Sequence, residues 1–213
     1  PIPHPTSVVQ SSTSTAVNMS NSNLRAETIA AQALHATDPA TGAVVPPIHL
    51  ATTFARDGNY ALISDEYQRN SSPTQRQAEA LVAANEKGAA CLLYPSGMAA
   101  IFALVGTVAH GGHIVAPAAM YYGARVWLKT LAERGRIALT LVDMEKPGAL
   151  AAAVVSGKTE LVWIETPSNP MWHVTDIAAA AKIAHDAGAI LGVDATALGA
   201  VTCNPISLGA DIV

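Results

Sequence analysis

Leu161-Val162-Trp163-Ile164-Glu165-Thr166-Pro167-Ser168-Asn169-Pro170 is an apolar tetrad that runs into a carboxylate and a proline-bounded loop. The tetrad is too short for a helix and predicts a buried strand over 161–164. Apolar residues at helical spacing follow from Asp176 to Ala187, with Gly188 as the stop signal. Ala189-Ile190-Leu191-Gly192-Val193 is a second short apolar run, and it ends on Asp194. Strand, helix and strand in this order predict two parallel strands joined by a covering helix.

The same alternation continues upstream. Strands are expected at 137–142 and 113–116, helices at 147–155, 122–134 and 97–109. Ala89 to Tyr94 is read as a further short buried strand, after a helix that follows Pro73-Thr74 and runs to Lys87-Gly88. The fold class is therefore α/β, a mostly parallel sheet with helices on both faces. Arg25 to Ala36 is expected to be a helix, followed by turns at Asp38-Pro39 and Thr41-Gly42 and an extended Pro46-Pro47. Residues 1–23, rich in Ser, Thr, Pro and Asn, are expected to form a flexible arm, with Met19 as a candidate natural start. At the other end, Ala210-Asp211-Ile212-Val213 reads as the opening of a strand.

Composition narrows the function. The 213 residues are 50% hydrophobic and 13% charged, with a net charge of -4, which describes a folded soluble chain. A mildly acidic balance gives no reason to expect a nucleic acid or anionic membrane partner. The longest apolar stretch, around 97–109, is too short for a membrane span. Two cysteines, Cys91 and Cys203, make no disulfide framework, so a reducing, cytoplasmic compartment is the default expectation.

An open α/β sheet binds its ligand at the carboxyl ends of its strands, so the residues just after each strand matter most. Ser96-Gly97-Met98 is a small-residue turn entering a helix. Its free N–H groups and the helix dipole suit a phosphate, while a plain N-cap by Ser96 is the bland reading. Asp194 at a strand end can hold a protonated nitrogen, bind a metal or cap the next segment; a cap or structural ion pair is the reading the residue supports unaided. Tyr122, before Gly123, can stack on a flat ligand or fill the core. Walker A, G-x-G-x-x-G and G-x-S-x-G frames are absent, and the seven histidines and two cysteines lack zinc spacing. His110 and His113, around Gly111-Gly112, read as solvated loop residues.

Taken in order, these pieces resemble the Cys/Met-metabolism family of pyridoxal-phosphate enzymes, the transsulfuration group. The resemblance runs from about Glu27 to Val213. It rests on Asp38-Pro39-Ala40-Thr41-Gly42, Ala51-Thr52-Thr53-Phe54, Tyr67-Gln68-Arg69, Ser96-Gly97-Met98-Ala99-Ala100, Tyr122-Gly123, Glu165-Thr166-Pro167-Ser168-Asn169-Pro170, Val193-Asp194-Ala195-Thr196 and Gly209-Ala210-Asp211-Ile212-Val213. It implies the large domain of a fold type I enzyme that uses pyridoxal 5'-phosphate. Ser96 and the amides of Gly97 and Met98 would hold the phosphate. Tyr122 would stack on the ring and assist proton transfer or leaving-group loss. Asp194 would pair with the ring nitrogen, with Thr196 beside it, and Asn169 would lie near the ring hydroxyl. Tyr67 and Arg69 would reach the phosphate of a neighbouring subunit, which implies a homodimer, usually a tetramer. The implied organisation is an extension over 1–23, an arm and inter-subunit segment over 24–72, and the first part of the cofactor domain over 73–213.

The resemblance implies a small amino-acid substrate and cystathionine γ-synthase or γ-lyase chemistry. The runners-up are an O-acetylhomoserine sulfhydrylase, a cystathionine β-lyase, or a non-catalytic half-chain that serves as a partner subunit. Three motifs depart from the family pattern: Tyr122-Gly123-Ala124-Arg125, Ser72-Pro73-Thr74 and Asp194-Ala195-Thr196. Ala124 stands where methionine γ-lyases characteristically carry cysteine, and Arg125 replaces a small threonine. The family's Schiff-base lysine would fall just beyond Val213, so this chain is expected to be the first half of an enzyme of roughly 400 residues.

Overall fold

The computed structural model describes residues 24–213; the flexible-arm and Met19 readings lie outside them. The chain divides into two compact units, one ending at Leu81 and one running from Val82 to Val213.

In the first unit, helix α1 spans Ala26–Ala31. The expected helix to Ala36 does not form: the chain tightens into a 3-10 turn at Ala33–His35, with Leu34 in the left-handed region at φ 62°. Asp57 organises a short loop by accepting the N–H groups of Asn59 and Ala61 at 2.9 and 2.8 Å. The buried Asp65 pairs with Arg76. Arg76 belongs to helix α2, Pro73–Glu86, whose last residues fall in the second unit.

The second unit carries the sheet. Helices α3 (Gly97–Gly106), α4 (Tyr122–Glu133), α5 (Ala149–Ala153) and α6 (Ile177–Asp186) alternate with strands β1 (His113–Pro117), β2 (Ala138–Val142), β3 (Thr159–Glu165) and β4 (Ile190–Asp194). The strands form one parallel sheet in the order β2-β1-β3-β4. Side chains alternate across it, as a pleated backbone requires. Ile114, Ala116, Leu161 and Trp163 face one way and pack with Ile101, Leu104, Val105 and Leu128 of α3 and α4. Val115, Val162, Ile164, Leu191 and Val193 face the other way and pack with Ala180, Ala181 and Ala184 of α6 and Leu150 of α5. Helices therefore cover both faces, and the near-continuous apolar strands are explained by burial on both sides.

Two close approaches depend on glycine. A Cβ on Gly192 would lie 2.9 Å from Leu104 Cδ2 and 3.0 Å from Trp163 Cε3, so β4 lets α3 pack tightly only without a side chain there. Gly209 has φ 103° and ends the 3-10 turn Pro205–Leu208; a Cβ there would meet Ala181 Cβ at 2.9 Å. The chain end expected to open a strand forms one isolated bridge to the sheet. Ile212 bridges Gly192 in parallel, and Val193 N–H donates to the Ile212 carbonyl at 2.9 Å.

Two further expectations fail. Ala89 to Tyr94 is not a buried strand: it lies outside the four-stranded sheet, and Leu92 is 71% exposed. Hydrophobicity marks a segment that can be covered, but a strand also needs a ladder, and β2-β1-β3-β4 gives this segment none. His113 is not a solvated loop residue. It opens β1, and its ring bridges three strands, with Nδ1 at 2.9 Å from Thr159 Oγ1 and Nε2 at 2.9 Å from Thr140 Oγ1.

Candidate cofactor site

The carboxyl ends of β3 and β4 and the N-terminus of α3 enclose a cleft of about 520 Å³. Its walls include Ser96, Gly97, Met98, Tyr121, Glu165, Ser168, Asn169, Trp172, Asp194 and Thr196. The ends of β3 and β4 thus meet the start of α3 at one rim, since parallel strands put their carboxyl ends on the same edge.

Ser96 is the N-cap of α3, and its Oγ accepts the Ala99 N–H at 3.1 Å. The bland capping reading is therefore correct, and it coexists with a functional one. The N–H groups of Gly97 and Met98, in the first turn, have no acceptor inside the helix. A Cβ built on Gly97 meets nothing within 4 Å, so packing does not demand this glycine and the space beside it is open. Free amides, a dipole end and open space together make a cradle for an anion.

On the β4 side, Asp194 Oδ1 accepts both the Thr196 N–H at 3.0 Å and the Thr196 hydroxyl at 2.5 Å. Thr196 thereby orients the carboxylate while lining the cleft beside it. Oδ2 is left for a donor from the cleft. Asn169 also lines it, and its backbone is fixed through Glu165.

Glu165 is the residue the sequence reading passed over. It closes β3, only 5% of its surface is exposed, and it stands in register with Asp194. Its Oε2 accepts the Tyr121 N–H at 2.7 Å and its Oε1 the Asn169 N–H at 2.6 Å. Burial pushes its carboxyl above the usual range; those two N–H groups oppose the shift, and the charge of Asp194 adds to it. The signal was available, since Glu165 ends an apolar strand as Asp194 does.

The tyrosines divide between two cavities. Tyr121 lines the cleft, and its ring packs on Gly123, where a Cβ would fall 2.8 Å from ring atom Cε1. Tyr122 is 69% exposed and lines an adjoining cavity of about 600 Å³, which shares Glu165 and Ser168 with the cleft. Arg125 lies in that second cavity, 5.9 Å from the Tyr122 ring centroid, and its Nη1 donates to the Ala118 carbonyl at 3.2 Å. Neither tyrosine's direction was readable from two consecutive aromatic residues. Tyr67 and Arg69 belong to the first unit, where the Arg69 guanidinium sits 5.1 Å over the Tyr67 ring.

A helix N-terminus and a strand-end carboxylate lining one cleft of a parallel α/β sheet suit a ligand with an anionic group at one end and a cationic one at the other. Residues 27–213 match the model of the Cys/Met metabolism PLP-dependent enzyme family, and the chain belongs to that family. It is 39% identical over 189 residues to cystathionine gamma-synthase of Mycobacterium tuberculosis, covering 86% of this chain and 48% of that protein. It is 37% identical over 177 residues to cystathionine gamma-lyase of Dictyostelium discoideum, covering 83% of this chain and 46% of that protein. The crystal structure of cystathionine gamma synthase from Xanthomonas oryzae superposes with a TM-score of 0.83 at 34% identity, over 89% of this chain and 49% of that one. The fold is therefore that of the fold type I pyridoxal-phosphate enzymes. The chain spans about half the length of the curated relatives it matches. Among the described residues, no helix is long and apolar enough to cross a membrane.

Proposed function

We propose that the protein carrying this chain is a pyridoxal-phosphate enzyme of transsulfuration, of the cystathionine γ-synthase or γ-lyase type. It acts on a small sulfur amino acid or an activated homoserine by β/γ-elimination or γ-replacement. The observation that carries this is the pairing of the α3 amide cradle with Asp194 across one cleft. The residues present fit the cofactor: a dianionic phosphate at Ser96, Gly97 and Met98, and a cationic ring nitrogen at Asp194.

When bound, the cofactor supplies an electron sink for the bond broken at the substrate α-carbon. The chain's own residues hold and orient it. Gly97 and Met98 donate backbone N–H groups to the phosphate, where the helix dipole favours negative charge. Asp194, steadied by Thr196, keeps a proton on the ring nitrogen. Asn169 donates toward the ring hydroxyl. Tyr122 moves a proton to or from the substrate and its leaving group. Tyr67 and Arg69 serve the phosphate of a neighbouring copy, so the working form is a homo-oligomer, a dimer with shared sites or a tetramer of such dimers. An arginine fork suits that contact. The reducing, cytoplasmic setting rests on a cysteine count of two, Cys91 and Cys203, which make no disulfide framework.

The test is to assay the full-length protein, loaded with pyridoxal phosphate, for formation and for γ-cleavage of cystathionine. Turnover in either direction supports the reading. Preference for sulfide with O-acetylhomoserine, or β-cleavage of cystathionine, moves it to the sulfhydrylase or β-lyase type. A full-length protein that binds no cofactor makes this a non-catalytic partner subunit.

A further inference from the structure

We propose that Glu165 is a positioning residue for the cofactor, one that ties the two walls of the cleft together and sets where Asn169 and Tyr121 present themselves. The inference rests on the reading that the cleft takes pyridoxal phosphate.

A carboxylate is costly to bury unless its oxygens are satisfied. Glu165 is buried at the end of β3, and each of its oxygens takes one strong backbone donor. The donors come from different segments. Tyr121 precedes α4, and Asn169 lies in the loop after β3. One side chain therefore joins two loops far apart in sequence, in addition to the backbone bonds from the Ala118 N–H to the Val142 carbonyl and from the Thr166 N–H to the Asp194 carbonyl. The aromatic and amide groups those loops carry both line the cleft, as Glu165 itself does. Charge-assisted bonds of this length are about twice as strong as neutral ones, so the carboxylate is a firmer clamp than an amide in the same place.

The position adds an electrostatic effect. Glu165 and Asp194 are partners in the β3–β4 ladder, so two carboxylates end adjacent strands at the cleft. A like charge beside Asp194 makes that end of the cleft more attractive to a cation. Glu165 thus acts on the ring nitrogen through Asp194 and on the ring hydroxyl through Asn169.

Glu165→Gln separates clamp from bulk. It keeps the size, removes the charge, and offers one acceptor and one NH2 group to two N–H donors. In the full-length holoenzyme, cofactor affinity is read by equilibrium dialysis and cofactor orientation by the circular dichroism of the bound chromophore. The expected result is an affinity loss of about tenfold or more with an altered dichroism band, accompanied by a lower melting temperature, because one buried N–H then faces the amide's NH2 group. The pH profile of the bound cofactor's absorbance is expected to shift as well, which a merely structural role would not produce. Should Glu165→Gln fail to fold, Glu165→Asp retains the charge on a shorter stem and is expected to bind with intermediate affinity and a recovered pH profile. Wild-type affinity, dichroism and pH profile in whichever variant folds would overturn the proposal alone. Failure of the wild-type protein to bind pyridoxal phosphate would overturn the parent reading and this one with it.

Discussion

Glu165 and Asp194 stand opposite each other in the β3–β4 ladder, one buried with both oxygens bonded to N–H groups and the other at the rim with one oxygen engaged by Thr196. Two carboxylates at adjacent strand ends thus have different surroundings, one bonded to two backbone N–H groups and one lining the cleft with an oxygen held by Thr196.

Asp194→Asn removes the rim charge and keeps its shape. The amide oxygen still accepts from Thr196, so the fold is expected to survive. Pyridoxal phosphate affinity is expected to fall by about tenfold or more, since one charge contact is worth roughly one pKa unit at the ring nitrogen. Equilibrium dialysis measures it. Unchanged affinity would show that Asp194 is only the cap that the strand end suggested.

Gly123→Ala tests which tyrosine walls the cleft. The new Cβ would lie 2.8 Å from the Tyr121 ring and push it aside. Alanine also favours the helix by about 1 kcal/mol over glycine, which offsets part of the strain. Global stability should therefore change little, while cofactor affinity drops several-fold. An unaltered affinity would assign the aromatic wall to Tyr122 instead.

Gly192→Ala is expected to destabilise the second unit. Its methyl would press on Leu104 and on the Trp163 ring, which cannot yield as a flexible side-chain end can. A loss of about 1–3 kcal/mol in urea unfolding is expected, without a change in the unfolding slope. A stability equal to wild type would mean that α3 shifts freely on the sheet.

His113 sets a pH dependence. Burial holds its imidazole below the ordinary value of 6.5, so the folded state binds a proton less readily than the unfolded one. Its contribution is intact above 6.5 and is lost as the pH falls below that value. Glu86 and Glu165 run the opposite way: their carboxyls are raised by burial, so their contribution is lost as pH rises from about 4.5. Urea midpoints at about pH 7.5 and about pH 5.5, compared between wild type and His113→Gln, isolate the histidine. The wild type should lose more stability than the variant on acidification. An equal loss in both would remove His113 as the cause.

Much of this protein was legible in its sequence. Short apolar runs alternating with helical periodicity determined the parallel α/β sheet, because a strand buried on both faces needs no polar residue until it reaches the rim. For the same reason Asp194, the first polar residue of its run, marked the cleft, as did Ser96 at a helix start and Asn169 in the loop after β3. Cap and cradle at Ser96–Met98 were also readable, since a helix start leaves free amides whatever lies beyond it. Tertiary structure alone decided the rest. Ala89 to Tyr94 has the composition of a strand, but pairing is a property of neighbours in space, and this sheet gives it none. Tyr121 and Tyr122 are equivalent in sequence, and only the packing of one ring on Gly123 separates them. Glu165 looked like one letter of a loop motif. Burial and two donors from separate segments made it the tie across the cleft, because hydrogen-bond partners far apart in sequence exist only once the chain has folded.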